Sequence, residues 1–371
     1  MSANSSFWGT PREFFDALPK KTAERKKYVF LIGNGFNRFI KDEFNRLGFD
    51  CPPIMSWDEL VIQTIVDNNE LKQKLDERLF KGKSITNLEK IRLLELVFDE
   101  KEKLAAAIAK KIFTDYNLKD EMWENALEAS PNPFYCKLLT NAIQHGCQIL
   151  TTNYDNNIEG FGQNDAGKKI KTLYVHCQDG PGFQQIDNSH PYYSWNRYNA
   201  FTANANPKEP SLKASEGTDT AKIPPGVWHI HGWAGTKGKV NKGSSIMLSF
   251  QKYCNSIFRI TKEGDYNDLD KWDGSNTWLN LFLNRPLIIA GLGLPQEEIF
   301  LRYLFLLKYK LEQKKADQQD NTLRNSYYLT LRKKEATQDS QPDGCDFLRA
   351  LGVNIVEFDS YADLYNHQLW K

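Results

Sequence analysis

Residues 28–37 read YVFLIGNGFN. The run Tyr28–Ile32 is apolar without a break and stops at Gly33. A strand with one wet face alternates apolar and polar residues. An unbroken apolar run instead suits a strand covered on both faces, as in a parallel sheet layered with helices. The glycines that follow, Gly33 and Gly35, allow a tight turn and a close backbone approach to a ligand. The first amides of the next helix would then face an anion such as a pyrophosphate. The loop is not the complete dinucleotide fingerprint, because Arg38 occupies the third glycine position, and no Gly-Lys-Ser/Thr follows as in a P-loop. Read alone, it is also compatible with an ordinary strand-to-helix turn.

The pattern repeats down the chain. CQILTT (Cys147–Thr152), VWHIH (Val227–His231), Pro286–Ala290, Tyr327–Leu331 and Val353–Phe358 each form a short apolar run. Segments of helical periodicity lie between them. Thr10, Pro11 and Glu13 make a capping box with proline at the first helical position, and Ser56 with Glu59 makes a second box. ITNLEKIRLLELVFDEKEKLAAAIAKKIF (85–113) spaces its leucines and isoleucines at helical intervals. Helices are also expected over Phe134–His145, ended by Gly146, and over Thr277–Leu283, Gln296–Lys314, Asp346–Leu351 and 361–369. Short strands alternating with helices predict an α/β fold: a doubly wound, mostly parallel sheet of Rossmann type with an inserted helical subdomain. The expected organisation is one domain over 1–55 and 131–371, interrupted by a helical insert at 56–130. Within that domain 160–225 is a long polar insertion with one apolar patch, TLYVH (172–176), and SSIMLSF (244–250) reads as another short strand.

Composition narrows the function. The chain has 371 residues, enough for roughly two to three domain-sized units as a prior. Charged residues at 26% and hydrophobic ones at 40% describe a globular chain, not a disordered tail. Lys+Arg 48 against Asp+Glu 47 leaves a net charge of +1, so no global basic field supports tight nonspecific nucleic-acid binding. No stretch approaches the ~18 consecutive apolar residues of a membrane span. The start, MSANSSFWGTPREFF, lacks the basic-then-apolar order of a signal peptide. The 6 cysteines include no Cys-x-x-Cys pair, so reduced thiols in a cytoplasmic protein are expected and a four-cysteine zinc site is not.

Ligands of open parallel sheets bind outside the carboxyl ends of the strands. Four predicted strands end in Gly33-Asn34-Gly35-Phe36-Asn37, Asn153-Tyr154-Asp155, His231-Gly232 and Gly291-Leu292-Gly293, so all four clusters would share one edge. Asn153 and Asp155, two residues apart, can project alike. A carboxamide both donates and accepts without charge, which suits ribose hydroxyls or an attacking water. An Asx turn closing the strand is the plainer alternative. His229 and His231 alternate across Ile230 and would share a face. At a strand end beside a cleft, His231 can serve as a general base, whereas His229 reads as a packed core histidine. Their spacing could also hold a metal with His176 or Cys177, but no full ligand set is present and no metal is expected.

LIGNGFN, TTNYD, HIHG and IIAGLGLPQEE, in that order and on strand ends, together resemble the sirtuin-like NAD-consuming family. More narrowly they resemble the bacterial sirtuin-like branch of anti-phage defence systems, and FLRALGVNIVEFDSYADL (347–364) is similar to the end of that branch. The resemblance covers about 28–37, 147–155, 227–232 and 286–298. It implies that Gly33, Gly35 and Asn37, with Asn34 and Phe36 between them, form the phosphate loop for NAD. Asn153 and Asp155 match the motif around the nicotinamide and its ribose, His231 matches the catalytic histidine, and Gly291 and Gly293 match the strand end near the adenosine. Asn34 stands where the family has alanine and Asn37 where it has serine. The GIPDFR segment and the four zinc cysteines of protein deacylases are absent from the sequence. The resemblance therefore implies NAD⁺ glycohydrolysis, with NAD as substrate, by the toxic effector of a defence system. It further implies gating by homo-oligomerisation or by a separate partner such as a HerA-like ATPase, with nucleic acid reached only through that partner. A nucleotide-binding assembly subunit without turnover is the alternative. Intrinsic nuclease activity finds no support in the charge balance.

Overall fold

In the computed structural model Tyr28–Ile32, Cys147–Thr152, Val227–His231, Pro286–Ala290, Tyr327–Leu331 and Val353–Phe358 each contain a strand. The structure describes residues 8–51, 101–115, 136–155, 157–160, 227–232, 235–236, 239–240, 278–296, 298–314, 322–332 and 344–370, with Cys254 and scattered positions between 60 and 134. The elements are β1 (Trp8–Gly9), α1 (Pro11–Ala17), α2 (Thr22–Arg25), β2 (Val29–Ile32), α3 (Gly35–Leu47), α4 (Lys101–Asp115) and α5 (Lys137–Gln144). They continue as β3 (Gln148–Thr151), α6 (Asn157–Gly160), β4 (Val227–His229), β5 (Gly235–Thr236), β6 (Lys239–Val240), α7 (Trp278–Asn284), β7 (Leu287–Ala290), α8 (Ile299–Lys314), β8 (Tyr327–Leu331), α9 (Gly344–Ala350), β9 (Asn354–Phe358) and α10 (Tyr361–Asn366).

Seven strands form one sheet in the order β1-β9-β8-β7-β2-β3-β4, and every neighbouring pair is parallel. From β4 to β9 this is the 3-2-1-4-5-6 order of doubly wound dinucleotide folds. The chain winds outward from β2 through β3 to β4, returns to β7 beside β2, and winds outward again. The reversal falls between β2 and β7, whose register runs from Val29↔Leu287 to Ile32↔Ala290. That register sets Gly33 beside Gly291. β1 and the antiparallel β5–β6 ribbon are additions of two residues per strand, too short for periodicity to announce.

The unbroken apolar runs follow from burial on both sheet faces. Val29, Leu31, Leu150, Trp228, Leu287, Ile289, Tyr328 and Ile355 pack into one core layer with α7, α8 and α9. Phe30, Ile32, Ile149, Val227, Ile288, Ala290, Leu329, Val356 and Phe358 pack into the other with α1, α3, α5 and α10. The period of two along each strand thus deals alternate residues to opposite helix layers. Each fully buried Leu, Ile, Val or Phe contributes about 1.5–3 kcal/mol of transfer free energy, against about 1–2 kcal/mol per residue of backbone ordering.

The helix ends have local causes. Thr10 Oγ1 accepts from the Glu13 amide (3.4 Å) and Glu13 Oε2 accepts from the Thr10 amide (2.8 Å), which completes the expected box of α1. α3 stops at Gly48, whose φ of 79° is left-handed. α8 begins at Ile299, three residues later than expected: Gly291 and Leu294 have left-handed φ of 65° and 46°, and the Glu298 amide closes a turn onto Pro295 O (3.0 Å) before the helix. Lys308 of α8 is buried and donates through Nζ to the carbonyls of Phe282, Leu283 and Arg285, at 3.0, 3.0 and 2.9 Å. This cation caps the C-terminus of α7, where the helix dipole is negative.

The described positions in 60–126, among them Leu60, Thr64, Lys90 and all of α4, are helical except for a turn at Asp67, and α4 packs beside β5 and β6. The rest of 56–130, the polar insertion beyond Gly160 with TLYVH, and SSIMLSF lie outside the described residues. Among the described residues no helix is long and apolar enough to cross a membrane.

Candidate functional site

The switch point between β2 and β7 brings two glycine loops into backbone contact. The Gly33 amide donates to Ala290 O (3.0 Å) and the Gly35 amide to Gly291 O (2.8 Å). A Cβ on Gly33 would lie 2.6 Å from Gly291 O, and one on Gly35 would lie 2.5 Å from Gly291 Cα and 2.8 Å from Tyr361 Cε1. Gly291 itself has φ 65°. No side chain fits at any of the three. Gly293 is different: it is exposed, and its Cβ would meet only Pro295 Cδ at 3.8 Å.

The expected phosphate cradle is partly occupied by the loop itself. The Phe36 amide donates to Gly33 O and the Asn37 amide to Asn34 O, both at 3.1 Å. Among the described residues, the Asn34 N–H is the loop amide without an acceptor. The Phe36 ring is fully buried and packs edge-on against Tyr365, 5.6 Å between centroids, so this residue offers a ligand only its backbone. Tyr365 is also fully buried, and its hydroxyl, directly beneath Gly291, has no hydrogen-bond partner.

The end of β3 is tied to this loop. Thr151 Oγ1 donates to Ile32 O (2.9 Å) and accepts from the Asn153 amide (3.0 Å). Asn153 Nδ2 donates to Gly33 O (3.3 Å). Asp155 is buried, and both its oxygens are engaged. Oδ1 accepts from the Asn157 amide (3.0 Å), an Asx turn, and Oδ2 accepts from Asn37 Nδ2 (2.6 Å). Asn157 Nδ2 in turn donates to Asn37 Oδ1 (3.1 Å), and Asn37 Nδ2 also reaches Asn34 Oδ1 (3.1 Å). Asp155 therefore organises the first turn of α3 through Asn37. The Asx turn that the sequence allowed is therefore present.

At β4 the strand pairing stops with His229, and Gly232 (φ 96°) closes a turn by donating its amide to His229 O (3.1 Å). The period of two no longer governs His231. His229 Nδ1 donates to Asn153 O (2.7 Å), which ties the end of β4 to that of β3. His231 lies instead against the start of α8. Its Nε2 is 3.4 Å from Glu298 Oε1, and its ring centroid is 6.1 Å from that of Phe300.

Sequence reasoning did not single out Glu298. β4 and β7 are three strand spacings apart, roughly 14 Å at about 4.8 Å each, and the loop after β7 must turn back over the ends of β2 and β3 to deliver this carboxyl. The available signal was the Pro-Gln-Glu-Glu sequence just before the apolar run of α8, which is also what an ordinary acidic first turn looks like. Burial pushes the Glu298 carboxyl up to about 8, against the Leu301 amide, whose hydrogen bond favours the charged form. Burial pushes the His231 imidazole down to about 3. Near neutral pH the imidazole is uncharged, the state a general base needs, and the carboxyl is largely protonated.

Gly33–Asn37, Asn153–Asp155 and His231 thus occupy three adjacent strand ends, with Gly291 alongside, on the carboxyl edge of the sheet. Among the described residues no cluster of His, Cys, Asp and Glu is arranged to hold a metal ion. Compared with protein-family models and with curated proteins, the chain finds no match.

Proposed function

We propose that the protein is a sirtuin-like NAD⁺ glycohydrolase that releases nicotinamide and ADP-ribose. The observation that carries this reading is the hydrogen-bonded run Gly33–Asn153–His229 across the ends of β2, β3 and β4, with His231 at its far side and the Rossmann switch point at its near side. Such a crevice is where doubly wound sheets bind dinucleotides. The Gly33–Asn37 loop and Gly291 would hold the pyrophosphate and adenosine half. Asn153, whose carboxamide oxygen has no protein partner among the described residues, would orient the attacking water or the ribose hydroxyls. The bond from ribose C1′ to the nicotinamide nitrogen breaks, the water oxygen bonds to C1′, and the water proton passes to His231. Asp155 acts through Asn37, keeping the loop in place.

The resemblance adds a setting: a cytoplasmic effector of anti-phage defence, active as a homo-oligomer or with a separate partner such as a HerA-like ATPase. The test is nicotinamide release from NAD⁺ over a wide protein concentration range, with and without that partner, using Asn153→Ala and His231→Ala. Turnover that rises steeply with concentration or partner and drops on the order of 10²–10⁴-fold in His231→Ala supports the reading. Unchanged turnover in both variants refutes the assignment. A second reading, a nucleotide-binding assembly subunit without turnover, is favoured by one observation: the Phe36 and Asn37 amides and both Asp155 oxygens are already engaged within the protein. It predicts NAD⁺ or ADP-ribose binding with no nicotinamide release under any condition.

A further inference from the structure

The first amides of a helix are free to meet a negative ligand. At the head of α3 that place is held by the protein's own backbone. The Gly35 amide donates to Gly291 O at 2.8 Å, and the Phe36, Asn37 and Arg38 amides donate to Gly33 O and Asn34 O at 3.1, 3.1 and 3.3 Å. A peptide oxygen thus sits where a pyrophosphate oxygen would. Directly beneath that peptide lies a group with the opposite need. The Tyr365 hydroxyl is fully buried and has no hydrogen-bond partner among the described residues, whereas about nine in ten buried polar groups have one. Its ring is fixed: it stacks on Phe39, with 4.9 Å between centroids and 24° between planes, and meets Phe36 edge-on at 5.6 Å. These contacts aim the hydroxyl at Gly291, where a Cβ would collide with it. Burial also holds the phenol well above its ordinary range, so it keeps its proton and stays a donor that lacks an acceptor.

The peptide joining Gly291 to Leu292 lies between two pinned carbonyls. Ala290 O accepts from the Gly33 amide (3.0 Å), and Leu292 O accepts from the Tyr328 hydroxyl (2.5 Å). Gly291, at φ 65°, has no Cβ to oppose rotation of its carbonyl. A trans peptide carries its N–H opposite its C=O. Turning this one peptide would therefore take an acceptor away from the head of α3 and bring a donor, the Leu292 N–H, in its place. We propose that Tyr365 is a positioning residue of the phosphate loop: as a pyrophosphate binds, the Gly291–Leu292 peptide turns, Gly291 O accepts from the Tyr365 hydroxyl, and the Gly35 and Leu292 amides face the anion. This rests on the dinucleotide-binding part of the glycohydrolase reading and deepens it. The Gly291 carbonyl is bonded in both states. The hydroxyl gains its partner only with ligand present, so it contributes to binding and not to the stability of the unliganded protein.

The test compares wild type with Tyr365→Phe, which removes the oxygen and keeps the ring packing. Asn34-Gly35 is the one Asn-Gly pair in the chain, so ¹³C-carbonyl asparagine with ¹⁵N-glycine isolates the Gly35 amide as a single resonance. Without ligand that resonance should coincide in the two proteins. Tyr365→Phe should then unfold at an equal or higher urea concentration, because no bond is lost and an unpaired buried group is removed. With NAD⁺ or ADP-ribose the resonance should shift in both, at a ligand concentration about tenfold higher in Tyr365→Phe, the scale of one hydrogen bond. Inorganic pyrophosphate, which lacks the nucleosides, should give the same ratio. In turnover the loss should appear in KM, with kcat little changed. A merely structural hydroxyl would move stability and leave affinity alone. Equal affinities would overturn the proposal, as would a Tyr365→Phe protein that is less stable and has its Gly35 resonance displaced before ligand is added. Equal affinities alongside nicotinamide release would leave the glycohydrolase reading standing without the peptide turn. A tenfold difference in a protein that releases no nicotinamide would sink that reading and keep the turn. A wild type that binds none of the three probes would overturn both.

Discussion

Replacing Gly35 with alanine tests the contact on which the candidate site is built. The new Cβ would lie 2.5 Å from Gly291 Cα and 2.8 Å from Tyr361 Cε1. Carbon atoms in contact sit about 3.5–4.0 Å apart, so the two loops must part by about 1 Å. Overpacking of this kind costs about 1–3 kcal/mol. The parting also stretches the 2.8 Å bond from the Gly35 amide to Gly291 O beyond useful length, a loss of about 1 kcal/mol. Alanine at the first helical residue returns up to about 1 kcal/mol over glycine. The net expectation is a loss of about 1–3 kcal/mol, read as a lower urea midpoint at unchanged slope. The same 1 Å displacement should weaken NAD⁺ binding at least tenfold in equilibrium dialysis. Gly293→Ala is the control: its Cβ meets only Pro295 Cδ at 3.8 Å, so stability should stay within about 0.5 kcal/mol of wild type. Any loss of binding there reports on ligand contact alone. Gly35→Ala protein as stable as wild type and binding NAD⁺ equally would refute the claim that the two backbones must touch.

Stability should vary with pH through the buried pair. Folded His231 resists protonation down to about 3 while the unfolded imidazole takes a proton near 6.5, so its contribution falls as pH drops from 6.5 toward 3. Folded Glu298 keeps its proton to about 8 while the unfolded carboxyl loses it near 4.5, so its contribution falls as pH rises from 4.5 to 8. The two slopes, about 1.4 kcal/mol per pH unit each, oppose one another where the windows overlap, from about pH 4.5 to 6.5, and urea titrations of Glu298→Gln should lack the decline above pH 6.5 expected of the wild type. Lys308→Met should cost about 2–4 kcal/mol in urea melts, because three carbonyls at the end of α7 lose their buried donor, and a loss under 1 kcal/mol would contradict that cap. Thr10→Ala should cost about 1 kcal/mol, measured the same way, through loss of the capping box of α1.

Much of this was legible in the chain. Tyr28–Ile32, Pro286–Ala290 and Val353–Phe358 announce strands buried on both faces, since only a sheet with two helix layers needs apolar residues at every position. Thr10, Pro11 and Glu13 mark the start of α1, and Gly33, Asn153, His231 and Gly291 mark where strands end. Parallel pairing then puts all four ends on one edge. These are signals of local period and punctuation, which act within a few residues and so are written in order along the chain. The path of the loop after β7, the approach of Glu298 to His231, the capture of Asp155 by Asn37, and the difference between cramped Gly291 and open Gly293 depend on strand order and on how distant backbones cross. Those relations are set when the sheet closes and the helices pack on it, because proximity between elements far apart in sequence is a property of the assembled core and has no period to read.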